Sequence, residues 1–420
     1  MRKIYLDYAA TSPLDARVRR VMNAASFGNP NSLHAFGQEA QKTLDAARAA
    51  VAGLLGAESR EVIFTGSATE ANNGVLRGIV GAVRENADGM RRDAPPKIVI
   101  SAIEHESVYE TARALEKSGA VECVIIPVDE HGTVDIKKIE KALDDRTILV
   151  SVMYVNNETG SVQPVAEIAN IVRNFRNSKS QTLNSKQIRN SKFENQNYET
   201  TYPLFHCDTV QAFQYFDCDV NALGVDFLTL SAHKIYGPKG VGALYIRNKE
   251  GITDSEQRKD IIPIITGGGQ EFGMRSGTQN VPGIAGFSEA ATSAVAMREK
   301  NAEKMRVLKK KAFDLIRDAY PRAELNGGRK DEGSPHIMNV WLPGIPSELL
   351  LIQLDQEGIA VSGGSACHAR APRPSRTVAA MHGDARAKES VRISFGRGTT
   401  FADVRALGRI LREILGRYSS

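Results

Sequence analysis

The stretch "LTLSAHKIYGPKG" sets Ser231, His233 and Lys234 at the end of an apolar run and fences them with glycine and proline. A lysine at such a strand end is either a surface cation with its stem along an apolar wall, or a desolvated amine able to act as nucleophile or base. The stretch alone leaves both open. Other apolar runs end in a similar way. Glu104 and His105 follow "KIVISAI", Asn156, Asn157 and Glu158 follow "MYV", and Asp208 and Gln211 follow "LFHC". A fifth run, "EVIF", leads into "TGSATEANN", where small residues open a helix near Thr69. Exposed N–H groups and a positive helix end meet at such a turn, which suits a phosphate; an ordinary capped turn has the same pattern. No GxxxxGK[ST] and no GxGxxG follows a strand, so neither a nucleotide P-loop nor a dinucleotide fingerprint is supported. Together the five sites offer a phosphate cradle, an imidazole, an amide, a carboxylate and a lysine. That inventory meets the needs of pyridoxal phosphate (PLP), which takes a lysine, an anion for its pyridine nitrogen, phosphate donors and a flat group against its ring.

These groups converge only if the runs that carry them lie side by side. Strand-like runs ("EVIF", "KIVIS", "VECVIIPV", "TILVSVMYV", "LFHCD", "VDFLTLS", "GALYIR") alternate with helix-like ones through the first two thirds of the chain. Ser32 is placed to cap a helix whose apolar residues Phe36, Ala40, Leu44, Ala47, Val51 and Leu54 fall at helical spacing. Such alternation predicts an α/β fold, a mainly parallel sheet with helices on both faces. Ligands of that architecture bind outside the carboxyl ends of the strands. A helical pattern then runs from about Gly283 to Tyr320 and leads into a segment with fewer elements. The expected organisation is an N-terminal segment (1–14) packing with a small domain, a large PLP-binding domain (15–265), and a linking helix with a small α+β domain (266–420). Residues 176–203, rich in Asn, Ser, Gln and Lys, are expected to form a surface insertion.

At 420 residues there is room for two domains and a generous core. Hydrophobic content of 42% and charged content of 25% are those of an ordinary globular chain. The net charge of +5 is mild, and runs such as Lys309-Lys310-Lys311 are most simply a solvated helix face, so nothing argues for direct nucleic-acid binding. No apolar run approaches a membrane span, and "MRKIYLDYAATSP" lacks a signal peptide's apolar stretch. The four cysteines have no zinc-ligand spacing, so a cytoplasmic protein with reduced thiols and no metal site is expected. Cys123 and Cys207 lie in apolar runs and read as packing residues. Cys367 differs. It stands among glycine, serine and proline in "VSGGSACHARAPRPSR", with His368, Arg370 and Arg373 nearby to help keep a thiolate. On these residues alone a catalytic thiol and an idle one are both open.

The motifs "YLDYAATSP", "FGNPNSLHAFG", "FTGSATEANN", "EHESV", "VNNETG", "CDTVQ", "SAHKIYGPKG", "GGGQEFGMRSGT", "SGGSAC" and "VRISFGRGTT" occur in the order found in cysteine desulfurases of the NifS/IscS type, and the chain resembles that family nearly end to end. The resemblance implies the aspartate-aminotransferase-like PLP fold (fold type I), normally a homodimer. It implies that Lys234 is the Schiff-base lysine, Asp208 the partner of the pyridine nitrogen, Gln211 the donor to the ring's phenolic oxygen and His105 the imidazole stacked on the ring. Ala68, Thr69, Ser231 and His233 resemble the family's phosphate clamp, with Thr278 reaching in from a partner subunit. Asn157 matches a residue beside cofactor and substrate, and Arg392 one that holds the substrate's carboxylate.

Cys367 matches the thiol that takes sulfur from L-cysteine as a persulfide and hands it to iron–sulfur scaffold or tRNA-thiolating proteins. Three departures stand out: the 176–203 insertion, "FTGSATE" in place of the commoner "FTSGATE", and the basic "HARAPRPSRTVAAMHGD" after Cys367. A selenocysteine lyase or aminotransferase on the same fold would keep Lys234 and Asp208 but need not use Cys367. A non-catalytic scaffold would need neither.

Overall fold

The computed structural model describes residues 3–85, 94–187, 202–248, 260–328, 333–364 and 374–416, with the side chains of 180–187 left aside. Cys367, His368, Arg370 and Arg373 lie outside the described residues.

A two-residue strand, β1 (Ile4–Tyr5), precedes the strands of the central sheet. These are β2 (Val62–Thr65), β3 (Lys97–Ser101), β4 (Glu122–Ile126), β5 (Thr147–Ser151), β6 (Leu204–Asp208), β7 (Phe227–Ser231) and β8 (Gly242–Ile246). Their order is β2-β8-β7-β6-β5-β3-β4. Neighbours run parallel except at β8, which is antiparallel to both β2 and β7. Strands β3, β5, β6 and β7 are buried along their whole length. That is why they read as near-continuous apolar runs rather than alternating ones.

Helices cover both faces: α1 (Ala16–Ala24), α2 (Ala35–Leu54), α3 (Ala68–Glu85), α4 (Glu106–Lys117), α5 (Ile136–Ala142), α6 (Val165–Gln187), α7 (Val220–Leu223) and α8 (Val281–Ala296). The strand period of two divides the core. Val62, Phe64, Val99 and Leu228 join Leu44, Val51, Ile168, Val172 and Phe287 on one face. Ile63, Ile98, Ile100 and Phe227 join Val75, Ile79, Val108 and Ala112 on the other.

The C-terminal layer holds α9 (Arg298–Ala319), α10 (Ser347–Gln356), α11 (Arg376–His382), α12 (Asp384–Lys388) and α13 (Phe401–Leu415). With them goes an antiparallel sheet of β9 (Glu324–Asn326), β10 (Ile337–Trp341) and β12 (Ser390–Ser394). Strand β11 (Ile359–Ala360) pairs in parallel with β1, and Ile4 and Leu6 enter this layer's core.

Two local expectations are corrected. Helix α2 is capped by His34, not Ser32, because the Ser32 carbonyl descends on Gly37, where a Cβ would lie 2.1 Å from it. The helical pattern from Gly283 to Tyr320 breaks at Met297 (φ −107°, ψ 7°). As a result Ile284 and Phe287 of α8 pack with the large sheet, while Met305 and Leu308 of α9 pack with the C-terminal layer. The 176–203 stretch begins as helix, since α6 continues to Gln187. Arg176 bonds Asp226 (3.0 Å) and Lys179 approaches Asp145 (3.4 Å), tying that extension to the body. Tyr202, at its far end, is buried.

Candidate active site

The polar strand ends collect along the carboxyl edge of the parallel strands, as the topology requires. Lys234 ends a short 3-10 turn after β7, and its Nζ donates to the carbonyls of Ala9 (2.7 Å) and Ala10 (2.8 Å). Gly237 closes the turn by donating its N–H to Ala232 O (2.9 Å). A Cβ on Gly237 would stand 2.7 Å from that same oxygen, so the turn needs glycine there. Ser12 fastens the N-terminal segment over the turn, donating from Oγ to His233 O (2.8 Å) and accepting from Tyr236 N–H (2.6 Å). His233 Nδ1 lies 3.1 Å from Thr11 Oγ1. Burial, with Lys234 and Lys239 nearby, lowers the His233 pKa to about 4, so its ring is neutral.

Asp208 ends β6 and is buried. Its Oδ1 accepts from Val210 N–H (3.0 Å) and its Oδ2 from the Asn72 amide (2.8 Å). That same Asn72 amide donates to Ser107 Oγ (2.8 Å). Ser107 Oγ is 2.8 Å from His105 Nδ1, and the Ser107 N–H donates to this nitrogen (3.1 Å). One buried asparagine therefore couples the carboxylate to the imidazole. The backbone donor makes Nδ1 an acceptor, so the neutral ring carries its hydrogen on Nε2. Burial lowers the His105 pKa against the opposing pull of Asp208, which leaves the imidazole uncharged at neutral pH.

Gln211 donates from Nε2 to Ala9 O (2.9 Å) and receives His336 Nε2 at Oε1 (3.3 Å). Arg392 of β12 is 1% exposed, spanning Asn157 O (2.9 Å) and Asp7 Oδ1 (2.8 Å), with its Nε buried and unpartnered. Asn156 builds the loop beside it, accepting from Glu158 N–H and Thr159 N–H (2.9 Å each) and donating to Ile103 O (2.9 Å).

The first turn of α3 sits on β8. A Cβ on Gly242 would come within 2.7 Å of the Ser67 carbonyl carbon and 2.9 Å of Ala68 N. Gly242 is also the register partner of Ser231. The glycine thus brings Ala68 and exposed Thr69 beside buried Ser231. Thr278 is exposed on the turn ahead of α8.

These residues fit PLP. The two described donors to Asp208 are neutral amides, so neither brings a charge; the protonated pyridine nitrogen of PLP would. An amine, an uncharged imidazole and a helix N-terminus lie on the same edge. Among the described residues no cluster of three or more His, Cys, Asp or Glu could hold a metal ion.

Several contributors had no signal of their own in the sequence. Ala9 and Ala10 act through backbone oxygens, which any residue carries. Asn72 and Ser107 stood inside motifs without a stated role, and His336 lay outside all of them. Glu104 was marked only as a polar strand end. It accepts from Met153 N–H (2.8 Å) and Ser101 Oγ (2.5 Å), and burial raises its pKa to about 8. After the Cys367 segment, Arg376 of α11 donates to Ala102 O and Glu104 O and lies 3.9 Å from the Tyr109 ring centre. Thr377 Oγ1 donates to Glu158 Oε1 (3.3 Å). The element following Cys367 therefore docks on the turn that carries His105.

The chain is similar to known proteins along nearly its whole length. The aminotransferase class-V family profile matches residues 4–182 and 196–407. A Bacillus subtilis (strain 168) protein, whose name places it provisionally among cysteine desulfurases as IscS 1, is 39% identical over 422 residues, covering 99% of this chain and 100% of its own. A mitosomal cysteine desulfurase of Trachipleistophora hominis is 35% identical, covering 97% of this chain and 85% of its own. A solved structure described as a NifS-like protein superposes with a TM-score of 0.81 at 32% identity, over 99% of this chain and 100% of its own.

Proposed function

This chain belongs to the aminotransferase class-V family, and from that membership we propose that it is a PLP-dependent cysteine desulfurase, taking sulfur from L-cysteine, releasing L-alanine and leaving a persulfide on Cys367. The observation that carries the proposal is the meeting of Lys234, Asp208, His105 and Gln211 on one sheet edge, with Arg392 of β12 reaching the Asn157 carbonyl from the C-terminal layer, in a chain whose relatives bear that name. When bound, PLP supplies an electron sink for charge developing at the substrate's α-carbon. Lys234 Nζ would hold the cofactor, and as an amine it would be the base for the substrate's α-proton. Asp208 holds the pyridine nitrogen protonated. His105 would be the flat group against the cofactor's ring, with its own hydrogen at Nε2. Ala68, Thr69, Ser231 and His233 bind the phosphate, with Thr278 contributed across a homodimer. Asn157 borders cofactor and substrate, and the planar fork of Arg392 takes the substrate carboxylate.

The Cys367 thiolate attacks the substrate's sulfur. An S–S bond forms as the C–S bond breaks, and the electron pair of the broken bond stays with the carbon skeleton that becomes alanine. A thiolate of an acceptor protein of iron–sulfur assembly or tRNA thiolation, in the cytoplasm, then takes the outer sulfur as the Cys367 thiolate leaves. Among the described residues no helix is long and apolar enough to cross a membrane.

The test is to incubate the holoprotein with L-cysteine, alkylate it, and locate the added sulfur by peptide mass. The proposal expects it on Cys367, and expects Cys367→Ala to keep its PLP colour while losing alanine release. Unchanged turnover by Cys367→Ala would instead favour a lyase or transaminase that does without the thiol.

A further inference from the structure

His336, just ahead of β10, is a buried histidine with no part in the proposed chemistry. Its ring stacks on Tyr215, with centroids 4.3 Å apart and planes at 26°. Nδ1 is 2.7 Å from Ser334 Oγ and Nε2 is 3.3 Å from Gln211 Oε1. Gln211 Nε2 donates to Ala9 O, the carbonyl that also receives Lys234 Nζ.

Every direction in this chain of bonds follows from its far end. A carbonyl only accepts, so Ala9 O claims the NH2 end of the Gln211 amide and leaves Oε1 facing His336. An amide oxygen also only accepts, so Nε2 of His336 carries the hydrogen and Nδ1 accepts from the Ser334 hydroxyl. Burial, with Lys309, Arg392 and Lys234 adding positive charge around it, lowers the His336 pKa to about 3, so the ring has one hydrogen and not two. Turning the amide over would set its oxygen against Ala9 O and its NH2 against the imidazole N–H. Both contacts would be repulsive. Ser334 is itself held, donating its N–H to Gly160 O (2.7 Å) and accepting Lys309 Nζ at its carbonyl (2.9 Å).

We propose that His336, by donating to Oε1, holds the Gln211 amide in the orientation that Ala9 O favours, and is thereby a positioning residue for the donor that this site offers to the phenolic oxygen of PLP. The inference rests on the PLP reading above. A donor at that oxygen stabilises negative charge there and so favours loss of the proton carried by the Lys234 linkage. Without it the proton is retained to higher pH.

The experiment titrates the absorption of the holoprotein with pH in wild type, His336→Leu, Gln211→Leu, the double variant and His336→Gln, whose side-chain amide can replace the lost donor. His336→Leu is expected to raise the midpoint by about one pH unit, as Gln211→Leu does. The double variant moves no further, and His336→Gln returns towards wild type. A wild-type midpoint in His336→Leu, or a shift that adds in full to that of Gln211→Leu, overturns the inference. Ser334→Ala, which frees the tautomer while keeping the ring, carries the test if His336→Leu does not fold: a raised midpoint supports it and an unmoved one overturns it. A wild-type protein that takes up no PLP, or shows no such titration, sinks the functional reading instead.

Discussion

Replacing Arg48 with methionine removes the cation that holds the turn leading to Thr278. Its guanidinium makes a two-pronged pair with Glu271 (2.6 and 2.7 Å), with the two side chains 5% and 1% exposed. It also donates to Val62 O (2.6 Å) and lies 4.9 Å from the ring centres of both Phe64 and Phe272. Glu271 and Phe272 hold positive φ (50° and 57°), a conformation costing non-glycine residues about 1–3 kcal/mol each, so something must pin them. Breaking a buried pair from one side leaves an uncompensated charge and costs about 3–5 kcal/mol. Glu271→Gln alone strands Arg48 and costs a similar amount. The double variant keeps an acceptor for Phe64 N–H, which Glu271 Oε2 now receives at 2.8 Å, and leaves chiefly Val62 O unpartnered, a loss of about 1–3 kcal/mol. Urea unfolding followed by circular dichroism measures all three variants, and the singles should sum to several kcal/mol more than the double. A single variant within about 1 kcal/mol of wild type, or additive singles, would refute the reasoning.

Asn72→Leu takes a donor from Asp208 and another from Ser107, so it should cost about 2–4 kcal/mol of stability and weaken PLP uptake; unfolding within about 0.5 kcal/mol of wild type contradicts the coupling. Glu104 titrates near 8 in the fold and near 4 when unfolded, so the folded state binds the extra proton and stability falls as pH rises between those values. Glu104→Gln removes that slope, and its stability relative to wild type should improve by about 2 kcal/mol from pH ~5.5 to ~7.5, measured by denaturant midpoints; parallel curves would contradict it.

Strand ends were the most legible part of the chain, because a polar residue closing a fully apolar run has few structural reasons to be there. Lys234, Asp208, His105 and Asn157 were visible for that reason, and their placement on one edge follows from the parallel order of β3, β5, β6 and β7. What escaped falls into three physical kinds. The carbonyls of Ala9 and Ala10 leave no mark in residue type. Long-range partners such as His336, 125 residues from Gln211, become neighbours only after the C-terminal layer docks. Helix limits depend on tertiary fit. His34 wins the cap of α2 because of a carbonyl over Gly37, Met297 breaks a helix without glycine or proline, and α6 runs past Phe175 because extending a formed helix is far easier than starting one.

The central claim is tested most directly by reducing the PLP-loaded protein with borohydride and mapping the labelled peptide. The account predicts a single stable adduct on Lys234, lost in Lys234→Ala, in a protein that still binds the cofactor. An adduct on Lys239 or any other lysine, with Lys234 unmodified, would contradict it.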